Sequence, residues 1–116
     1  MSTRLVVGAL LVLDTAFTIA HRTRILEQAA RDRLPTMHQQ RAWVEAGGLM
    51  SYGPDLRELS RRGVALVDRI LKGAKPADLP VEQPTRFELM LNIGTAKRLG
   101  LTFPESVRLL ADEAIP

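Results

Sequence analysis

The 116-residue chain predicts an α/β fold, a largely parallel sheet flanked by helices. Three observations carry that reading. The continuous apolar run Leu5–Leu13 has the composition of a strand covered on both faces, as in a parallel sheet. Short strand-like segments then alternate with stretches of helical period, the order of crossover units. Glycines and capping side chains punctuate those stretches at the places where helices stop and start.

Each element follows from local chemistry. Val6, Val7 and Val12 favour extended backbone in the first run, and Asp14 and Thr15 end it. Thr18 is placed to cap a helix over His21–Arg33, whose Ile25, Leu26, Ala29 and Ala30 form one apolar stripe. Residues 34–38 read as a short extended segment, with Pro35 near its start. A short helix, Arg41–Ala46, follows and carries Trp43 on the core side; Gly47 supplies its left-handed stop. Leu49–Tyr52 is the next strand. Asp55, with Glu58 three residues on, opens the longest helix, to about Lys72. Its expected buried face is Leu56, Leu59, Val64, Leu66, Val67, Ile70 and Leu71. Residues 74–85 hold Pro76, Pro80 and Pro84, so an extended connection is expected there. Phe87, Leu89 and Leu91 alternate with Glu88 and Met90, as in a half-buried strand. Asn92 caps a helix over Ile93–Leu99, stopped by Gly100. Thr102 and Glu105 have capping-box spacing around Pro104, starting a last helix to about Ala114.

Composition bounds the function classes. Apolar residues make up 46% and charged residues 25%, which sets the chain among folded globular proteins. With no cysteine there is no disulfide framework, thiolate metal site or cysteine nucleophile. The formal net charge of +3 raises a nucleic-acid reading, the third class carried here, for which salt-dependent binding is the discriminator. The arginines are spread along the helices and aromatics are only 4%, so solvated helix faces are expected and no nucleic-acid partner. Residues 1–20 have the outline of a short signal peptide: one arginine, an apolar run, then small residues. The thin cationic start and Asp14 directly after the run favour a buried strand instead.

Parallel sheets bind ligands beyond the carboxyl ends of their strands. The three loops that qualify contain Asp14, Thr15 and Phe17; His38, Gln39 and Gln40; and Ser51, Tyr52 and Gly53. Polar groups with one or two aromatics suit a small polar solute. The competing reading is that these hydroxyls and amides merely cap helices. His21 and His38 stand in no metal-binding spacing and read as surface or capping histidines. Ser51, in LMSYG, lacks the first glycine of a nucleophile elbow, and no histidine follows His38. Glycine-rich nucleotide motifs are absent, so neither catalysis nor a cofactor is expected.

Residues 8–38, then VEAGGLMSYGPDLREL, then ILKGAKPADLPVEQPTRFELMLNIGTAKRLGL and the closing LLADEAI resemble the C-terminal part of one family. It is the ABC-transporter substrate-binding protein family whose better-known members take tryptophan or tyrosine. The resemblance implies a type I periplasmic-binding-protein fold with two α/β lobes closing on a solute, and a membrane permease as partner. It places Asp14, Thr15, Gln39, Gln40, Ser51 and Tyr52 at the cleft, Asp55 at the start of a helix beside the hinge, and 74–85 on a returning crossover. The chain is then expected to be a single α/β domain, a truncated lobe from the C-terminal part of a longer two-lobed protein. It departs from the family in the loop after the first strand, LDTAF, where a proline or small residue usually stands beside the polar position. The family implies the periplasm; without a clear export signal the cytoplasm stays open. A stand-alone protein that dimerises through an open sheet edge is the alternative.

Overall fold

The computed structural model describes residues 8–81, 83 and 86–116. In order, its elements are β1 (Leu10–Leu11), α1 (Ala16–Ala20), α2 (Arg22–Arg31), β2 (Thr36–His38), α3 (Arg41–Glu45), β3 (Met50–Pro54), α4 (Leu56–Leu71), a 3₁₀ turn (Pro76–Asp78), β4 (Phe87–Asn92), α5 (Ile93–Leu99), α6 (Glu105–Leu110) and β5 (Glu113–Ile115). The chain divides into two compact units, Met1–Gly53 with Glu88–Pro116, and Pro54–Phe87.

The sheet has the order β1-β2-β3-β4-β5. β1 runs parallel to β2, β2 to β3, and β4 to β5. Between β3 and β4 the direction reverses. Asn92 N–H donates to Leu49 C=O at 2.9 Å, and Asp55 N–H donates to Arg86 C=O at 3.4 Å, so opposite ends of the two strands meet. The carboxyl ends of β1, β2 and β3 therefore share one sheet edge with the amino ends of β4 and β5.

The core of the first unit is Val12, Ala29, Trp43, Val44, Leu49, Met90, Leu91 and Ala96. Asn92 ties it together. Its Nδ2–H donates to Val44 C=O at 3.0 Å, and its Oδ1 accepts from Thr95 N–H at 2.9 Å, capping α5 as expected. Gly100 closes α5 at φ 74°, and Gly47 follows α3 at φ 121°, both in the region that only glycine enters cheaply.

Several expectations are corrected. Of the run Leu5–Leu13, positions 5–7 lie outside the described residues, and the strand is only Leu10–Leu11. It is not covered on both faces: Val12 is buried while Leu11 is 65% and Leu13 57% exposed, because β1 stands at the end of the sheet. The helix expected over His21–Arg33 begins earlier and in two pieces. Thr15, not Thr18, is the N-cap, with Thr18 as its reciprocal partner in a capping box. His21 then interrupts the helix, its Nδ1 lying 2.8 Å from Phe17 C=O.

The apolar stripe of α4 is not a buried face. Asp55 caps the helix through Arg57 and Glu58 N–H as expected, but Val64 is 70%, Val67 55% and Leu71 81% exposed. Helical period marks which side is apolar; burial needs a second surface. Around Pro76 the chain forms a 3₁₀ turn where extended backbone was expected, and Pro84 lies outside the described residues. In β4 the alternation is lost at its end, where Met90, Leu91 and Asn92 are all buried between β3 and β5. The last helix stops at Leu110, has Pro104 as N-cap with no side-chain cap bond, and is followed by a strand the spacing did not reveal. β5 is fastened by Asp112, whose N–H donates to Leu89 C=O at 2.9 Å while its Oδ2 accepts from Leu89 N–H at 2.8 Å.

Gly53 marks the tightest approach within the first unit. A Cβ there would run into the backbone carbonyl oxygen of Gln39, on the loop after β2. A backbone atom cannot swing aside as a side chain can. Gly53→Ala is expected to cost about 1–3 kcal/mol, the range for overpacking, in urea unfolding of the chain. Unchanged stability would refute the close approach.

Candidate functional site

Of the eight residues singled out from sequence, Asp14, Thr15, Gln39 and Gln40 lie in the loops after β1 and β2 and Phe17 lies on α1, whereas His38 is in β2, and Ser51 and Tyr52, expected in a loop, are in β3. Asp14 and Gln39 are brought together: Asp14 N–H donates to Gln39 Oε1 at 2.8 Å. That bond fixes the amide, since an N–H requires the oxygen, and leaves the Gln39 amide nitrogen as a donor. One carboxylate oxygen of Asp14, Oδ1, accepts from the Trp43 indole N–H at 2.9 Å. The other, Oδ2, is buried with no hydrogen-bond partner among the described residues.

Thr15 is used locally. Its Oγ1 accepts from Thr18 N–H at 3.1 Å, and its own N–H donates to Thr18 Oγ1 at 2.8 Å. Phe17, on α1, is exposed and lies tilted against His21 at 4.4 Å between ring centroids. Gln40 is the N-cap of α3 but makes no side-chain cap bond. Along β3, Ser51 and Gly53 face inward while Tyr52 is 53% exposed, the two-residue period of a strand.

His38 is neither a surface nor a capping residue. It is 1% exposed and its ring stacks on Trp43, with centroids 4.6 Å apart and planes 12° from parallel. Its Nε2 lies 2.8 Å from Thr36 Oγ1, which also accepts from Leu49 N–H at 3.1 Å. Gly48 is bare because a Cβ there would come within 2.6 Å of His38 Nε2. The pair Gly47-Gly48 thus does two jobs: the first ends α3, the second makes room for a buried imidazole.

Two contributors were missed in the sequence. Trp43 was assigned to the core, where it is, but it is also the hydrogen-bond donor to Asp14. The available signal was that a buried indole N–H seeks an acceptor. Arg41, at the start of α3, reaches Glu45 Oε1 and Glu113 Oε2 at 2.8 Å each and Glu88 Oε1 at 3.5 Å. Helical spacing predicts only the Glu45 partner. No group of three or more His, Cys, Asp or Glu able to hold a metal ion occurs among the described residues. A separate groove of about 510 Å³, lined by residues including Leu26, Arg33, Gly47 and Arg98, lies at the opposite end of β2 and β3.

A family model described as ABC transporter substrate binding protein matches residues 3–115. Among solved structures, the chain is similar to an ABC domain from Streptococcus pneumoniae determined in complex with L-Trp: 31% identity, 94% of this chain, 37% of that one and a TM-score of 0.86. A conserved domain protein from Vibrio cholerae matches at 24% identity over 92% of this chain and 36% of that one, with a TM-score of 0.85. A ligand-free, open substrate-binding protein with adhesive properties from Clostridium difficile matches at 22% identity over 84% of this chain and 33% of that one, with a TM-score of 0.61. The last two likenesses concern the fold alone. The chain spans about a third of the length of each. No curated protein sequence matches it.

Burial pushes the His38 imidazole down from its ordinary 6.5 to about 4, so the ring is neutral at pH 7. The folded-state value is the lower one. As pH falls below 6.5 the unfolded chain takes up a proton that the folded chain refuses until about 4. The His38 contribution to stability is therefore complete above 6.5 and is lost as pH falls through that window, with a slope of at most about 1.4 kcal/mol per pH unit. His38→Phe, which keeps a ring against Trp43, should narrow its stability deficit relative to wild type between pH 7.5 and 4.5 in chemical denaturation. A deficit that stays constant with pH would refute the neutral, buried imidazole.

Proposed function

Because the chain belongs to the ABC transporter substrate binding protein family, matched over residues 3–115, we propose that it is the C-terminal part of the solute-binding component of an ABC importer. It takes a small organic, amino-acid-like solute at the edge formed by the carboxyl ends of β1, β2 and β3. The solute is then handed to a membrane permease, so the parent protein works outside the cytoplasm. Among the described residues no helix is long and apolar enough to cross a membrane.

The observation that carries this reading is the pairing of Asp14 with Gln39 at the strand ends. One loop presents an acceptor, the next a donor, and Tyr52 and Phe17 add exposed aromatic surface on the same edge. A small molecule with one charged end and an apolar body is the complement of such a surface. The L-Trp complex of the Streptococcus pneumoniae relative supports an amino acid as the class to try first. Binding without catalysis suits the family.

Calorimetric titration of the native polypeptide carrying these residues, with L-tryptophan, L-tyrosine and aliphatic amino acids, tests this reading. Saturable binding of at least one is expected, with thermal stabilisation that grows with ligand as about 2.7 kcal/mol at one hundred times Kd. No binding across the panel would overturn it.

One observation favours a second reading. Among the described residues β1 stands at the end of the strand order and carries exposed Leu11, with Leu13 exposed just beyond it. An apolar sheet edge of this kind pairs readily with a second copy. Sedimentation of the chain without ligand distinguishes them: a tight dimer indifferent to solute supports self-association, and a monomer that responds to solute removes it.

A further inference from the structure

We propose that the groove between α2 and α5 is a second binding site, for a small organic carboxylate, at the end of β2 and β3 away from the edge described above. Arg33 and Arg98 hold the carboxylate, and Leu26, Leu34 and Leu99 receive the apolar body. The site does not depend on the solute-binding reading. The groove has a volume of about 510 Å³, and all five of these residues line it. That volume lies within the range of clefts that take small molecules. Neither guanidinium forms an ion pair among the described residues, whereas Arg41 forms three.

Arg33 occupies a backbone conformation that its side chain disfavours. Four described residues have a positive φ, and each closes a helix: Gly47, Gly73 and Gly100 at the ends of α3, α4 and α5, and Arg33, at φ 53°, at the end of α2. The turn at Arg33 is an ordinary helix end. Arg33 N–H donates to Ala30 C=O at 3.2 Å and Leu34 N–H to Ala29 C=O at 2.8 Å. Glycine enters this region freely, and a residue with a Cβ does not. The fold could close α2 more easily with glycine, as it does at the three other ends. An arginine kept in such a place is accounted for by what its side chain does, and what it lines is the groove.

Arg98 is set in place by two linked bonds. Thr95 Oγ1 donates to Gly47 C=O at 3.1 Å and accepts from Arg98 Nη2–H at 3.0 Å, so the guanidinium is tied to the end of α3 before a ligand arrives. Donors already held lose less freedom on binding. A guanidinium fork matches the two oxygens of a carboxylate. Leu26, Leu34 and Leu99 are half-buried and offer an apolar surface that an inorganic anion would leave unused. Glu27 stands in the same lining, and its carboxylate opposes a ligand with more than one negative charge. The chemical class is therefore a singly charged carboxylate with a short apolar chain.

The probe is hexanoate, titrated by calorimetry into the native polypeptide carrying these residues. Beside it are hexanamide, which keeps the chain without the charge, and inorganic phosphate, which has charge without the chain. Saturable binding of hexanoate is expected, with hexanamide weaker by about 10- to 100-fold, the range of one charge-assisted hydrogen bond. Phosphate should also bind more weakly than hexanoate. Arg33→Gly is the variant that separates binding from folding. It should weaken hexanoate by a similar factor with no loss of thermal stability, since glycine suits that backbone. Arg98→Gln should weaken hexanoate too, and Glu27→Gln should strengthen it. Hexanamide binding as tightly as hexanoate would overturn the recognition of charge, and phosphate doing so would overturn the organic class. Wild-type affinity in Arg33→Gly, the result if Arg33 only closes the helix, would overturn the site. No binding of hexanoate to the wild type would overturn the whole proposal, while amino-acid binding at the strand-end edge would stand or fall on its own titration.

Discussion

The stack of His38 on Trp43 joins elements that no local rule would bring together. His38 ends β2 and Trp43 lies in the middle of α3, and their rings meet almost parallel at 4.6 Å. Around that contact the other placements follow. Thr36 accepts from Leu49 N–H while bonding the imidazole, which sets β2 beside the start of β3. Gly48 leaves the space into which the imidazole fits. The indole N–H reaches Asp14 and so fixes the loop that follows β1. A charged imidazole could not be held in this position without a counter-charge, and burial keeps it neutral. The loop after β1 is thus tied to the core: Asp14 accepts a hydrogen bond from a side chain that faces inward.

The second organising fact is the reversal between β3 and β4. In a sheet that stayed parallel throughout, the amino ends of the last two strands would lie at the far edge. With the reversal, Glu88 and Glu113 come to the edge where α3 begins, and Arg41 meets both, together with Glu45 one helical turn on. Each such bond is modest where solvent reaches it, and Arg41 is only partly shielded, so the group is better read as a clasp that sets register than as a large source of stability. Asn92 makes the matching connection at the opposite edge, holding Val44 and Thr95 at once.

Much of the element order was legible because it rests on short-range rules. Asp55 and Asn92 cap the helices they precede, and Gly100 ends α5, since capping and left-handed backbone are decided within a few residues. Two errors share one cause. The apolar stripe of α4 and the apolar run around β1 were read as buried, but periodicity reports only that a face is apolar. Nothing in a pattern says whether a second surface arrives to cover Val64, Leu71 or Leu11. β5 escaped notice because three residues after a helix carry too little period to separate a strand from a fraying end.

By itself the sequence determined the α/β class, the caps at Asp55 and Asn92, the glycine stop at Gly100 and the family. All of these depend on neighbours along the chain or on words of sequence long enough to be specific. The tertiary structure alone decided which of the loop residues meet. Asp14 and Gln39 lie 25 positions apart, and Asp14 and Trp43 lie 29 apart. Residues that distant are joined only when the parallel pairing of β1, β2 and β3 lines up their carboxyl ends. Tertiary structure also decided that His38 belongs to the core and that one oxygen of Asp14 has no donor among the described residues. Both are matters of packing and of what fails to arrive, and no stretch of chain short enough to read as a motif contains them.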